Sequence, residues 1–247
     1  MKKYSDGKIK KNVIQVFYAI LAALIIRSFF FEPFSIPSGS MYPNLKVGDY
    51  LFVSKYSYGF SRHSLPFSLP LIPGRIFYNE PKRGDIVVFK TPDDNRTDYI
   101  KRLIGIPGDL VRIESSEIFI NGTKISRTFK NNEKYKSFDV QKIRETLPGG
   151  ASYDVFEFEK VFLGLNTNDF SEIKVPSDSF FVLGDNRDNS QDSRFIGFIP
   201  KENLVGKAQV VFISFDTEVG SFLKFWTWFP ALRKDRFFVS LLPSLEE

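Results

Sequence analysis

The sequence of 247 residues has no cysteine, one histidine, two methionines and two tryptophans. Without cysteine there is no disulfide, no thiolate zinc site and no cysteine nucleophile. One histidine, His63 in "SRHSLPF", argues against a histidine-rich metal centre and against a Ser-His-Asp triad. Its loop-like setting predicts an ordinary surface residue. The net charge is only +5, with the basic residues dispersed except at the start, so nucleic acid is not an expected partner. Phenylalanine, by contrast, is abundant: 28 residues, clustered in "SFFFEPF" and "FLKFWTWFP". A hydrophobic content of 43% with 26% charged residues is that of a folded chain of one or two domains.

Residues 1–12, "MKKYSDGKIKKN", carry five lysines and one aspartate, and the apolar run "VIQVFYAILAALII" follows. As a helix, Val13 to Phe31 would span about 28 Å, close to the thickness of a bilayer core. A buried core helix would not need an apolar surface all round behind a basic tail. A cleaved secretory signal has the right start, and Ser38-Gly39-Ser40 has the small-x-small form of a cleavage site. That site lies a dozen residues too far on, behind bulky "FFFEPF". An uncleaved anchor over 13–32 fits best, with Arg27 snorkelling near its far end and the lysines predicting a cytoplasmic N-terminus.

Past the anchor the sequence reads as mostly β. "DYLFVSKYSYG", "GDIVVFK", "DYIKRLIG", "DLVRIES", "SEIFING", "SFFVLGDN" and "AQVVFISF" are short β-branched and aromatic runs between turn signals. The more polar stretch 110–176 reads as an insertion into a core formed by 33–109 and 177–247. Trp226 and Trp228, in the less diagnostic tail 221–247, are expected in the core rather than at a membrane interface.

A hydrolytic serine without histidine needs another base, and a lysine serves if burial keeps it neutral. Lys101 in "DYIKRLIGIPGD" is the best candidate. Strand alternation puts it on the face of Tyr99 and Leu103, and Arg102 on the face of Ile100 and Ile104. The residues alone leave open a lysine on a solvated strand face. Lys90, at a strand end, is weaker. "LGDNRDNSQDSRFIGFIP" is dense in side chains that form local turns, set between apolar flanks. It lacks the glycine and glutamate of an EF-hand loop, so no metal is expected.

Three segments, "IPSGSMYPNLKVGDYLFV", "YIKRLIGIPGD" and "GDNRDNSQDSRFIGFIP", together resemble the motifs of bacterial type I signal peptidases (leader peptidases), and "KRGDIVVFK" resembles a further strand of that family. The order and spacing of the motifs agree over most of residues 13–200. The resemblance implies a Ser-Lys peptidase with Ser40 as nucleophile and Lys101 as general base. Ser38 would add an oxyanion donor, and Ser190 would hydrogen-bond and orient the lysine. Arg102, Asp192 and Arg194 would be structural near the site. Phe34, Ile36, Pro37, Met41, Tyr99 and Ile100 would line or flank pockets for small side chains at −1 and −3. The implied fold is a mostly β catalytic core behind an N-terminal transmembrane helix, interrupted by a second β subdomain. The implied partners are signal peptides of secreted preproteins and the lipid bilayer, in a single-pass protein of the bacterial cytoplasmic membrane with its catalytic domain on the outer face. No cofactor or metal is required. Around Ser40, Gly39 would permit an unusual backbone angle. Other Ser-Lys processing peptidases, such as the pilin-maturation type, and a catalytically silent tethered binding protein are the alternatives. The oligomeric state cannot be read from the sequence.

Overall fold

The computed structural model describes residues 2–159, 168–220 and 225–245. Residues 160–167 of the expected insertion, and Ser221 to Lys224 and the last two residues of the tail, lie outside the described residues. Helix α1 (Lys2–Phe29) opens the chain. Its segment Lys10–Phe29 is long and apolar enough to cross a membrane and is almost wholly unburied, which removes the reading as a core helix. The helix stops earlier than the expected anchor. Phe31–Ser35 is already strand β1, as Pro33 requires, because proline bars α backbone at the residue before it.

The main sheet is built from β1, β2 (Asp49–Ser54), β3 (Ile86–Lys90), β4 (Asp98–Gly105), β11 (Ser179–Leu183) and β12 (Leu204–Ser214). Its order is β1-β2-β12-β3-β4-β11, with Ile199–Pro200 beyond β11 and Val239–Ser240 against β12. Between β4 and β11 the chain forms two four-stranded sheets. One contains β5 (Leu110–Glu114), β6 (Glu117–Ile120) and β10 (Phe170–Lys174), together with Thr123–Lys124. The other contains β7 (Ser126–Tyr135), β8 (Phe138–Thr146) and β9 (Ala151–Phe158), closed by Ser244–Leu245 from the C-terminal end.

Every apolar run read as a strand is one. The long β7-β8 hairpin was not foreseen, because the charges of "KNNEKYKSFDVQKIRET" hide its apolar positions. Those positions fall on both faces: Tyr135 and Val140 are buried on one, Ile143 on the other.

Two further expectations are corrected. Trp226 and Trp228 are 63% and 43% exposed rather than in the core. His63 is buried, not superficial. A 3-10 turn (Arg62–Ser64) capped by Ser61 turns it inward, where Arg62 Nε donates to its Nε2 at 3.2 Å and Ser68 Oγ lies 3.0 Å from its Nδ1.

The pairing pattern of the main sheet leaves two free edges. β4 pairs with β3 along Asp98–Arg102, but β11 takes its other edge only from Arg102 to Gly105. The outer edge of Asp98–Lys101 is therefore unpaired, and β1 is the last strand on the far side. The sheet curls so that both edges line one cavity of about 720 Å³.

Consecutive β4 residues point to opposite faces, and here both faces are covered. On the face away from the cavity, Arg102 forms a bidentate pair with Asp185, both contacts 2.7 Å. It also donates to Gly84 O at 2.7 Å and lies 4.0 Å over the Tyr153 ring. Asn44 completes the carboxylate at 2.7 Å. Removing one partner of such a buried pair leaves the other charged and unmatched. Arg102→Met should therefore lower the unfolding free energy by about 3–5 kcal/mol, and the double variant with Asp185→Leu should recover most of that. Urea unfolding of the detergent-solubilised chain measures both. A loss under about 1 kcal/mol for Arg102→Met, as for a surface ion pair, would contradict the buried-pair account.

Candidate active site

Ser40 sits in a turn that follows β1, and Lys101 projects toward it from the unpaired stretch of β4. Lys101 Nζ donates to Ser40 Oγ at 2.8 Å and to Ile100 O at 3.0 Å. Both residues are buried, Lys101 to 4% exposure. Among the described residues no carboxylate forms an ion pair with the ammonium. Burial lowers the Lys101 pKa to about 8, with Asp192 and Asp185 opposing the shift from a distance and Arg194 adding to it. A lysine in this state is neutral in about one molecule in ten at pH 7, far more than a free lysine would be. A neutral amine at hydrogen-bond distance from a serine hydroxyl can accept its proton.

The backbone around Ser40 is held by one residue that sequence reasoning missed. The Asn186 N–H donates to Ser40 O, and its Nδ2 donates to Gly39 O, each at 3.0 Å. Asn186 stands in the polar loop that the sequence did single out, but nothing in its type marked it as a brace. Gly39 has ordinary backbone angles rather than the unusual ones expected. It is required by space instead: a Cβ there would collide with the Tyr135 hydroxyl. Gly184 was also missed. A side chain there would collide with Ser190 Oγ and with Ser40 O.

The loop after β11 is pinned on three sides. Asp192 caps the short helix α2 (Ser193–Ile196), accepts from Gly184 N at 3.0 Å, and pairs with Arg194 at 2.8 Å. Arg194 in turn donates to Arg187 O at 2.6 Å. Arg187 reaches Glu145 of β8 with contacts of 2.8 and 2.5 Å. Arg102, Asp192 and Arg194 thus all take part in holding this loop against the dyad.

Of the other expected site residues, Phe34, Ile36, Pro37, Tyr99 and Ile100 line the cavity beside Ser38, Ser40, Lys101 and Ser190. Met41 does not. It is fully buried among Leu45, Leu51 and Val88 in the core under the nucleophile turn, so it supports that turn from behind. Ser38 Oγ lies 3.4 Å from Ser40 Oγ. The Ser190 hydroxyl is buried but makes no hydrogen bond among the described residues. The expected bond from Ser190 to the lysine is therefore not formed, and Ile100 O takes the lysine's second bond.

Comparison with known proteins gives the family of the chain. The family model described as "Signal peptidase, peptidase S26" matches residues 9–213. Signal peptidase I of Rickettsia typhi is 42% identical over 261 aligned residues, covering 96% of this chain and 97% of that protein. Signal peptidase I of Rickettsia felis is 42% identical, covering 93% and 92% respectively. The crystal structure of a signal peptidase I from Enterococcus faecalis V583 is 28% identical and covers 52% of this chain and 97% of that one, with a TM-score of 0.33. On the family match and the near full-length identities, the chain belongs to the signal peptidase family, peptidase S26.

Proposed function

We propose that this chain is a membrane-anchored endopeptidase that removes signal peptides from secreted preproteins with a Ser40–Lys101 dyad. The observation that carries the proposal is the 2.8 Å hydrogen bond between a buried, carboxylate-free lysine and Ser40 at the foot of the cavity. Ser40 Oγ attacks the scissile carbonyl carbon, and its proton passes to Lys101 Nζ. The tetrahedral intermediate collapses, and Lys101 returns a proton to the leaving amine. A water molecule, deprotonated by the same lysine, then releases the acyl group.

The developing oxyanion meets the Ser40 N–H and the Ser38 hydroxyl; one such donor is worth about 3 kcal/mol. Ser190 lines the cavity beside the lysine, its buried hydroxyl without a hydrogen-bond partner among the described residues. An extended substrate lies between the unpaired edges of β1 and β4, so alternate side chains face one wall. Phe34, Ile36, Pro37, Tyr99 and Ile100 line that wall, and they leave room for small residues at −1 and −3. In this reading the helical segment Lys10–Phe29 anchors the chain in the bacterial cytoplasmic membrane and the residues before it stay in the cytoplasm. Residues 33–109 and 177–247 form the external catalytic core, with 110–176 inserted into it.

The purified chain in detergent, incubated with a secretory preprotein, should generate one new N-terminus preceded by alanine, glycine or serine. Edman sequencing reads it. Equal cleavage of a variant preprotein with phenylalanine at −1 would refute the pocket assignment.

The pH dependence comes from the lowered pKa. The neutral lysine is the active form, so kcat/KM should rise through pH 8 and level off above it, the protonated fraction being lost as pH increases. Lys101→Arg, which stays charged at any usable pH, should be as inactive as Lys101→Ala. His63→Ala should keep the profile. A pH-independent rate from 6 to 10, or an active Lys101→Arg, would place the base elsewhere.

A further inference from the structure

A second, smaller cavity of about 90 Å³ lies where α1 meets the main sheet, and it shares no lining residue with the cavity at Ser40. Its walls include Arg27, Lys55, His63, Ser68 and Lys90, with Phe67 beside them. No carboxylate is among its lining residues. Glu32 stands behind Arg27 and Lys55, at 2.6 and 2.8 Å, and Asp98 behind Lys90 at 2.8 Å. These acids hold the cations in place rather than filling the space. The volume suits about three water molecules or one tetrahedral oxyanion.

Its position narrows the ligand. Arg27 lies within the last turn of the segment Lys10–Phe29 that is apolar enough to cross a membrane. Rings gather at the same level: Phe29 packs edge-on against Phe60 at 5.3 Å, and Phe31 against Tyr56 at 5.6 Å. Phe67 is 99% exposed. Further along the same excursion, Leu71 is 74% and Phe77 79% exposed. An aromatic collar at the end of a span, with cations just behind it, is the arrangement found at the headgroup level of a bilayer.

We infer that this cavity binds the phosphate of an anionic membrane phospholipid, with Lys55, Lys90, Arg27 and the Ser68 hydroxyl around the phosphate oxygens and the Phe67 loop among the acyl chains. The occupant is a lipid rather than free phosphate, because the cationic wall is continuous with the end of the span and with the exposed apolar loop. The bound lipid would fix the height and tilt of the catalytic sheet over the membrane. The inference rests on α1 crossing the bilayer and is independent of the Ser40–Lys101 chemistry.

His63 provides the readout, since it is the only histidine of the chain. Burial, then the cations Arg62, Lys90, Arg75 and Lys55 that face it, lower its pKa to about 4. A phosphate anion among those cations reverses part of their effect and favours the charged ring. The test uses the full chain, labelled with nitrogen-15, in dodecylmaltoside micelles, with the imidazole signals followed against pH. Dihexanoylphosphatidylglycerol should move the ring signals saturably and raise the proton affinity of His63 by about tenfold or more. Dihexanoylglycerol, which has the chains without the phosphate, should not. Lys90→Gln and Ser68→Ala should each weaken the effect while preprotein cleavage in detergent persists.

Unchanged His63 signals with phosphatidylglycerol, or the same change with dihexanoylglycerol, would overturn the inference. Inorganic phosphate matching the lipid at equal concentration would overturn the lipid as ligand. Flotation of wild-type chain with pure phosphatidylcholine vesicles reports the anchor separately, so failure of α1 to insert is told apart from failure of the pocket.

Discussion

The constraint on which the site depends is the burial of two adjacent basic residues on one strand, with opposite treatment of their charges. Arg102 keeps its charge, because a bidentate carboxylate, a carbonyl and an aromatic face surround it. Lys101, one residue earlier and on the other face, receives a hydroxyl and a carbonyl, with the Tyr99 ring 5.3 Å away and no bidentate carboxylate. The carboxylates whose charge acts on it, Asp192 and Asp185, are already committed to Arg194 and Arg102. Their attraction on the lysine is therefore too remote to offset its lost hydration. A carboxylate within contact of Lys101 would stabilise the ammonium and remove the base.

This arrangement explains why so much of the polar chemistry around the dyad is structural. The loop after β11 carries a run of buried charges, and each has a partner of opposite sign or a backbone group. Asp185, Arg187, Asp192 and Arg194 are matched with Arg102, Glu145, Arg194 and Asp192. Matched pairs of this kind add little net stability over an apolar core, but leaving one half unmatched is costly. They fix the loop in one register, and that register places Asn186 against the Gly39 and Ser40 carbonyls. The close approaches at Gly39 and Gly184 result from it: with the loop and β7 pinned, no room is left for a side chain at either position.

Much of this was legible in the sequence. The long apolar helix was readable from an apolar run behind lysines. The strands were readable from β-branched runs between turn signals, and Lys101 from its place inside such a run. The polar loop was readable from its own dense turn formers, and the motif resemblance supplied Ser40 as the expected nucleophile and Lys101 as the expected base. The parts that were not legible depend on contacts distant in sequence. Tyr135 explains Gly39 from 96 positions further on (135 − 39), which no local pattern reveals. Glu145 anchors Arg187 from a strand whose alternating charges masked its buried face. His63 read as superficial because its neighbours are turn formers, yet that turn directs the ring inward. Met41 was expected to line or flank a pocket because the resemblance implied it, whereas its side chain packs in the core.

The central claim is that burial, without a carboxylate partner, makes Lys101 the neutral base. Its most direct test is the ionisation of that one side chain. With carbon-13 at the lysine ε position, a Lys101→Met comparison assigns the signal, and its chemical shift is followed with pH in detergent. Burial without a partner predicts a titration midpoint near 8, well apart from the remaining lysines. A midpoint for Lys101 together with the surface lysines, near the ordinary value of about 10.4, would contradict it.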